Sequence, residues 1–259
     1  MTVINTNTSA VIAANSLAKN ERAMNEAMER LSTGKRINNA GDDAAGLAIS
    51  SRMTSQIEGL EQAARNANDA ISMIQTADGA LVEITSVLQR MREITVQASS
   101  ATNSTTDITA LATEFEGLRD EVINIVTYTT WNGRTLLDGS VDGAADDIVS
   151  FQIGSNAAQA IAVDFGTFAV TGLTGNDFGA NFINTLTIST NADSNTALGY
   201  IDTALTAVTT RQATLGAAIS RLEHAIDNLS NNAVNMEASR SRIMDANYAK
   251  ESTELERTQ

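Results

Sequence analysis

Between Leu198 and Ile243, apolar side chains recur three and four residues apart: Leu198, Ile201, Leu205, Val208, Leu215, Ile219, Leu222, Ile226, Leu229, Met236 and Ile243. Only Gln212, Ala233 and Arg240 weaken this register. Such a heptad seam predicts one continuous helix with its stripe buried against another helix. At 1.5 Å per residue the helix is roughly 70 Å long, too long for an ordinary compact domain. Its partner must therefore be as long, in the same chain or in a neighbouring copy. Such a partner stands upstream, where Ile57, Leu60, Ala64, Ala67, Ile71, Ile74, Leu81 and Leu88 keep heptad spacing between Ala44 and Ser100. Asp78-Gly79 would elsewhere mark a turn, but the period continues on both sides, so one helix is expected. The predicted fold class is mainly α: a long antiparallel helical rod, a coiled-coil-like bundle, with a small β-hairpin region. Its expected core is Ile57, Leu60, Ile71, Ile74, Leu81 and Leu88 against Leu205, Leu215, Ile219, Leu222, Ile226 and Leu229.

The composition suits long helices. Pro is absent from the 259 residues and aromatics make up only 4%, so nothing interrupts a helix and packing goes through small side chains. Without Cys there are neither disulfides nor thiolate metal sites. A net charge of -14 disfavours nucleic acid. The N-terminus lacks the pattern of a secretory signal and no run approaches 18 apolar residues, so membrane insertion is not expected and any export uses another route.

Along the chain, residues 1–31 place Leu17, Met24, Met28 and Leu31 on one helical face. The stripe is thin, so this arm is expected to be disordered until a partner covers it. Ser32 to Gly46 breaks the pattern, and Asp42 or Asp43 can cap the helix that follows. Paired aspartates could also serve acid/base or metal chemistry, but no His, Cys or third carboxylate lies near them in sequence. After Ser99-Ser100, Ser104 with Asp107 resembles a capping box, followed by Leu111, Phe115, Leu118, Val122 and Ile125 on one stripe. Residues 132–197 hold eight of the 16 Gly and seven Asp against one basic residue, Arg134. Alternation at Val149, Phe151, Ile153 and at Ile161, Val163, Phe165 predicts short strands joined by turns. The acidity there reads as a solvated surface, and calcium binding lacks the EF-hand spacing.

Enzymatic machinery is missing from the pattern. The one histidine, His224, lies between Leu222 and Ile226 and points away from the seam. There is no HExxH, no GxSxG and no phosphate-binding loop with a following Lys. No catalytic, cofactor or metal site is expected.

The run Glu29-Arg30-Leu31-Ser32-Thr33-Gly34-Lys35-Arg36-Ile37-Asn38, followed by Asp42-Asp43-Ala44-Ala45-Gly46-Leu47-Ala48-Ile49, resembles the N-terminal signature of bacterial flagellin. The likeness continues at Leu88 to Glu93, at Trp131 to Gly139, at Phe151 to Gly154, at Ser239 to Ile243 and at Asp245 to Ala249. The resemblance implies a filament subunit, exported by the flagellar type III apparatus and polymerised outside the cell into a helical tube for motility. Its implied partners are further copies of itself, an export chaperone and cap proteins. The implied segments are an inner-layer arm and spoke at 1–40, rod helices at 41–131, a β/turn region at 132–197, a rod helix at 198–243 and a second inner-layer arm at 244–259. The large outer domains of longer members are expected to be missing. The family usually continues with an apolar helical segment beyond Thr258-Gln259, and Glu256 stands where a small uncharged residue is common, so an incomplete inner layer is expected.

By the same resemblance, Gln89, Arg90, Glu93, Ile94 and Gln97, with Glu114 on the next helix, look like the surface that vertebrate Toll-like receptor 5 recognises. Arg90 and Glu93 alone would be an ordinary i,i+3 pair worth about 0.2–0.5 kcal/mol. The alternatives are a hook-filament junction protein, which would share the terminal helices, and a flagellin-like surface binding protein. A signalling coiled coil would need a membrane anchor.

Overall fold

The computed structural model describes residues 7–139, 148–166 and 186–259. Five helices account for most of them: α1 (Thr8–Thr33), α2 (Ala44–Ala98), α3 (Thr105–Tyr128), α4 (Asn191–Met244) and α5 (Tyr248–Thr258). Four short strands pair as two antiparallel hairpins, β1 (Thr130–Trp131) with β2 (Arg134–Thr135) and β3 (Ile148–Gln152) with β4 (Ala160–Asp164). The chain divides into two compact units, Met1–Glu61 with Ser230–Gln259, and Gln62–Leu229. Both α2 and α4 contribute to each.

In the second unit, the buried faces of α2, α3 and α4 join the β residues in one apolar cluster. The late α2 residue Arg92 meets the early α4 residue Asp202 at 2.7 Å, as antiparallel neighbours do. Asp78-Gly79 leaves α2 uninterrupted over its 55 residues. Of the expected core, Ile74, Leu81, Leu88, Leu215, Leu222 and Leu229 are buried, while Ile71, Leu205, Ile219 and Ile226 are half-buried against the cluster. Here α2 buries more than a two-helix seam, because Ile84, Met91, Ile94 and Ala98 are also at most 1% exposed. Packing against both α3 and α4 needs a wide apolar face, whereas one partner needs only a and d positions.

The turns explain themselves chemically. Ser104 accepts the Asp107 N–H and the Asp107 carboxylate accepts the Ser104 N–H, a complete capping box at the start of α3. Between β1 and β2, Asn132 and Gly133 both have positive φ, 48° and 78°, as a two-residue primed turn requires. The strands expected around Val149 and Val163 are β3 and β4, with Val149 opposite Val163. Their hairpin is pinned to α4 by Arg211, whose guanidinium meets the Asp164 carboxylate at 2.7 Å.

The expected β/turn region ran to residue 197, but α4 begins at Asn191. Its start is a Thr-x-x-Asp cap: the Asp193 N–H donates to Thr190 Oγ1 (3.2 Å), and that hydroxyl donates to the Asp193 carboxylate (2.8 Å). The first buried residues are Ser194 and Ala197, too small to register as an apolar period.

In the first unit, the late α4 residue Arg240 donates to Thr54 of α2 at 3.3 Å, and Ile57 and Leu60 are buried. The expectation that the N-terminal arm lacks cover within the chain is corrected for the second half of α1. The second half of α1 packs on α5 and buries Ala27. Asn20 donates to the Thr258 carbonyl (2.8 Å), and Arg30 faces the buried Glu251 at 3.7 Å. Residues 1–6 of the expected mobile arm lie outside the described residues.

The segment after α1 closes the end of α4. The Arg36 N–H donates to the Met244 carbonyl (2.6 Å), its guanidinium donates to the Ile243 carbonyl (2.7 Å), and Ala246 N–H donates to the Gly34 carbonyl (2.9 Å). A helix end leaves its last carbonyls without partners, and here another part of the chain supplies donors. At the start of α2, Asp43 accepts the Gly46 N–H (2.9 Å) as an N-cap. Asp42 instead accepts the N–H groups of Asn39 and Asn38, which hold its carboxyl below the usual range.

Candidate functional site

Two surfaces stand out. The first lies where α2 and α3 run side by side. Arg90 of α2 reaches Glu114 of α3 at 2.7 Å and Glu93, one turn along its own helix, at 3.0 Å. All three side chains are exposed, at 54%, 46% and 69%. Bonds from Glu114 first and then Glu93 raise the affinity of the Arg90 guanidinium for its proton. The result is a fixed cation flanked by two carboxylates, with Gln89 and Gln97 also exposed.

Ile94 does not belong to this surface. It is 1% exposed and sits in the apolar cluster, so the expected receptor contact at this position is corrected. Helical geometry gives the reason: Ile94 falls three residues after Met91 and four before Ala98, both fully buried, so it shares their inward face.

The second surface is on the terminal helices. Beyond its pairing with α5, α1 exposes Val11, Ile12 and Leu17 at 56%, 66% and 69%. At the pairing itself, Arg30 also bonds Glu26 one turn back, while its Nε is buried without a hydrogen-bond partner. The Arg30 to Glu251 contact has no local sequence signal, since nothing in either residue's neighbours predicts a pair so distant in the chain. Among the described residues, no group of three or more His, Cys, Asp or Glu could hold a metal ion, and no helix is long and apolar enough to cross a membrane.

The N-terminal helical region of bacterial flagellin matches residues 4–142, and its C-terminal helical region matches residues 198–259. The chain belongs to the bacterial flagellin family. It is 44% identical over 256 residues to a flagellin of Halalkalibacterium halodurans, covering 99% of this chain and 90% of that one. A Bacillus subtilis flagellin is 41% identical over an alignment covering 97% of this chain and 90% of the relative. Among solved structures, the crystal structure of Bacillus cereus flagellin superposes with a TM-score of 0.53 at 29% identity, covering 68% of this chain and 94% of that one. As a flagellin it is a structural subunit of the flagellar filament. Its first family region spans α1 to α3 and the β1–β2 hairpin, its second takes α4 from Leu198 onward and α5, and residues 143–197 lie between them.

Proposed function

We propose that this flagellin is exported through the flagellar type III apparatus and polymerises outside the cell through its terminal helices, giving a helical tube that drives motility. The observation that carries this reading is the apolar surface of α1, where Val11, Ile12 and Leu17 stay open after α5 has packed. Exposed side chains of that size contribute when a neighbour covers them, and repeating one head-to-tail contact generates a filament. An export chaperone and cap proteins are the further partners that this reading implies. Leu17→Asp is expected to lower assembly at least tenfold, roughly 1.4 kcal/mol per contact, in sedimentation and electron microscopy. Thermal unfolding should move by no more than about 0.5 kcal/mol, because Leu17 is exposed in the free chain. Filaments of normal yield from the variant would remove α1 from the assembly surface.

A second reading is supported by the fixed Arg90: recognition by vertebrate Toll-like receptor 5 through Gln89, Arg90, Glu93, Gln97 and Glu114. A cation preorganised by two neighbours loses little freedom on binding, which suits an anchor. Arg90→Ala is expected to weaken receptor binding by at least ~2 kcal/mol while costing only a few tenths in folding stability. Unchanged affinity, measured on the same preparation as the unfolding curve, would exclude Arg90 as an anchor.

A further inference from the structure

Asn132 and Gly133 form the one Asn-Gly step in the chain, at the exposed tip of the β1–β2 hairpin. Glycine leaves the following amide nitrogen unshielded, so this dipeptide is the chain's most reactive asparagine step. We propose that Asn132 is a self-modifying site, closed while the hairpin is folded and open when the chain is unfolded. In the reaction, the Gly133 nitrogen attacks Asn132 Cγ. An N–Cγ bond forms, the Cγ–Nδ2 bond breaks, and Nδ2 leaves as ammonia with the proton lost by the Gly133 nitrogen. Water then opens the resulting succinimide to aspartate or to isoaspartate.

The turn opposes the first step. Ring closure needs the Asn132 to Gly133 peptide to rotate until its nitrogen lies over the side-chain carbonyl carbon. Here both residues hold positive φ, and the peptide closes the turn directly beyond the paired Trp131 and Arg134, with Thr130 and Thr135 paired behind them. The reaction must therefore proceed from the small population in which the turn has opened.

The product matters more than the rate. Isoaspartate routes the main chain through the side-chain carbon and so lengthens a turn that admits only two residues. Past that turn, Leu136 N–H donates to the Thr129 carbonyl (3.0 Å), and Leu136 and Leu137 are fully buried in the apolar cluster. A chain carrying isoaspartate cannot present both leucines in register, so that product, formed before folding, removes it from the pool that can fold.

The test is to age the full chain at mildly alkaline pH, folded in buffer and unfolded in urea, and to map isoaspartate by peptide mass spectrometry. Modification at Asn132 is expected to be at least about tenfold slower in the folded chain, in line with reaction through local opening. On dilution from urea, the refolded fraction should be depleted of isoaspartate. Asn132→Gly keeps a residue suited to positive φ and removes the amide, so its aged chains should refold in full. Equal rates in the two states, no isoaspartate in either, or equal isoaspartate in refolded and misfolded fractions would each overturn the proposal.

Discussion

Leu222→Asp is expected to destabilise the second unit by about 4 kcal/mol, close to what many small domains possess in total. Leu222 is fully buried in the cluster shared by α2, α3 and α4. An aspartate there removes a large apolar side chain and leaves a carboxylate with no cation among its buried apolar neighbours. The neighbouring Glu223 is exposed, so Glu223→Ala is the matched control and should move stability by no more than about 0.5 kcal/mol. Urea unfolding followed by circular dichroism measures both. A midpoint for Leu222→Asp within the range of the control would place residue 222 outside the core.

The second large effect is expected at Gly46. A Cβ built there would lie 2.6 Å from Asp43 Oδ2 and 2.7 Å from Ile37 Cδ1. Neither neighbour can give way cheaply, since the Asp43 carboxylate is fixed by the Gly46 N–H and Ile37 is 1% exposed. Gly46→Val must therefore displace the cap of α2 or expel Ile37, at roughly 2–4 kcal/mol when overpacking and loss of the cap combine. Hydrogen exchange of the first α2 amides should accelerate, with the second unit's apolar cluster unaffected. Protection like that of the parent chain at Leu47 and Ala48 would show that the clash is absorbed without cost. The Asp-Asp-Ala-Ala-Gly run thus has a physical reading: one aspartate holds the loop, the next caps the helix, and glycine leaves room for that cap.

How much of this was legible depended on what each contact is made of. Leu81, Leu88, Leu215 and Leu222 were readable because large apolar residues repeat at helical spacing, and the Ser104 to Asp107 cap because its bonds are local. The first turns of α4 show no apolar period, because Ser194 and Ala197 bury little surface; the Thr190 to Asp193 cap, as local as the one at Ser104, is the signal that marks their start. Ile94 enters the receptor surface only through the family resemblance, whereas its spacing from Met91 and Ala98 puts it on the buried face of α2. The pairing of α1 with α5 rests on a small alanine and on polar groups more than 200 residues apart, as in the bond from Asn20 to Thr258, which no periodicity can announce. At the candidate surface, the residue types around Arg90 were available from the sequence, but the hydrogen bond to Glu114 spans two helices and needed the fold.

The closure of α4 by Gly34 and Arg36 has a kinetic side. The Arg36 to Ile243 bond joins positions 207 residues apart, and closing so long a loop costs entropy before any contact compensates. Contacts of high sequence separation slow folding, whereas the turns and caps along each helix need only near neighbours. The joint should consequently appear late in refolding and open early in unfolding, with the last turn of α4 fraying whenever the N-terminal segment is away. A chain emerging from its N-terminal side cannot make this joint until Ile243 to Ala246 have followed Gly34 and Arg36, so closure of α4 is timed by residues more than 200 positions downstream.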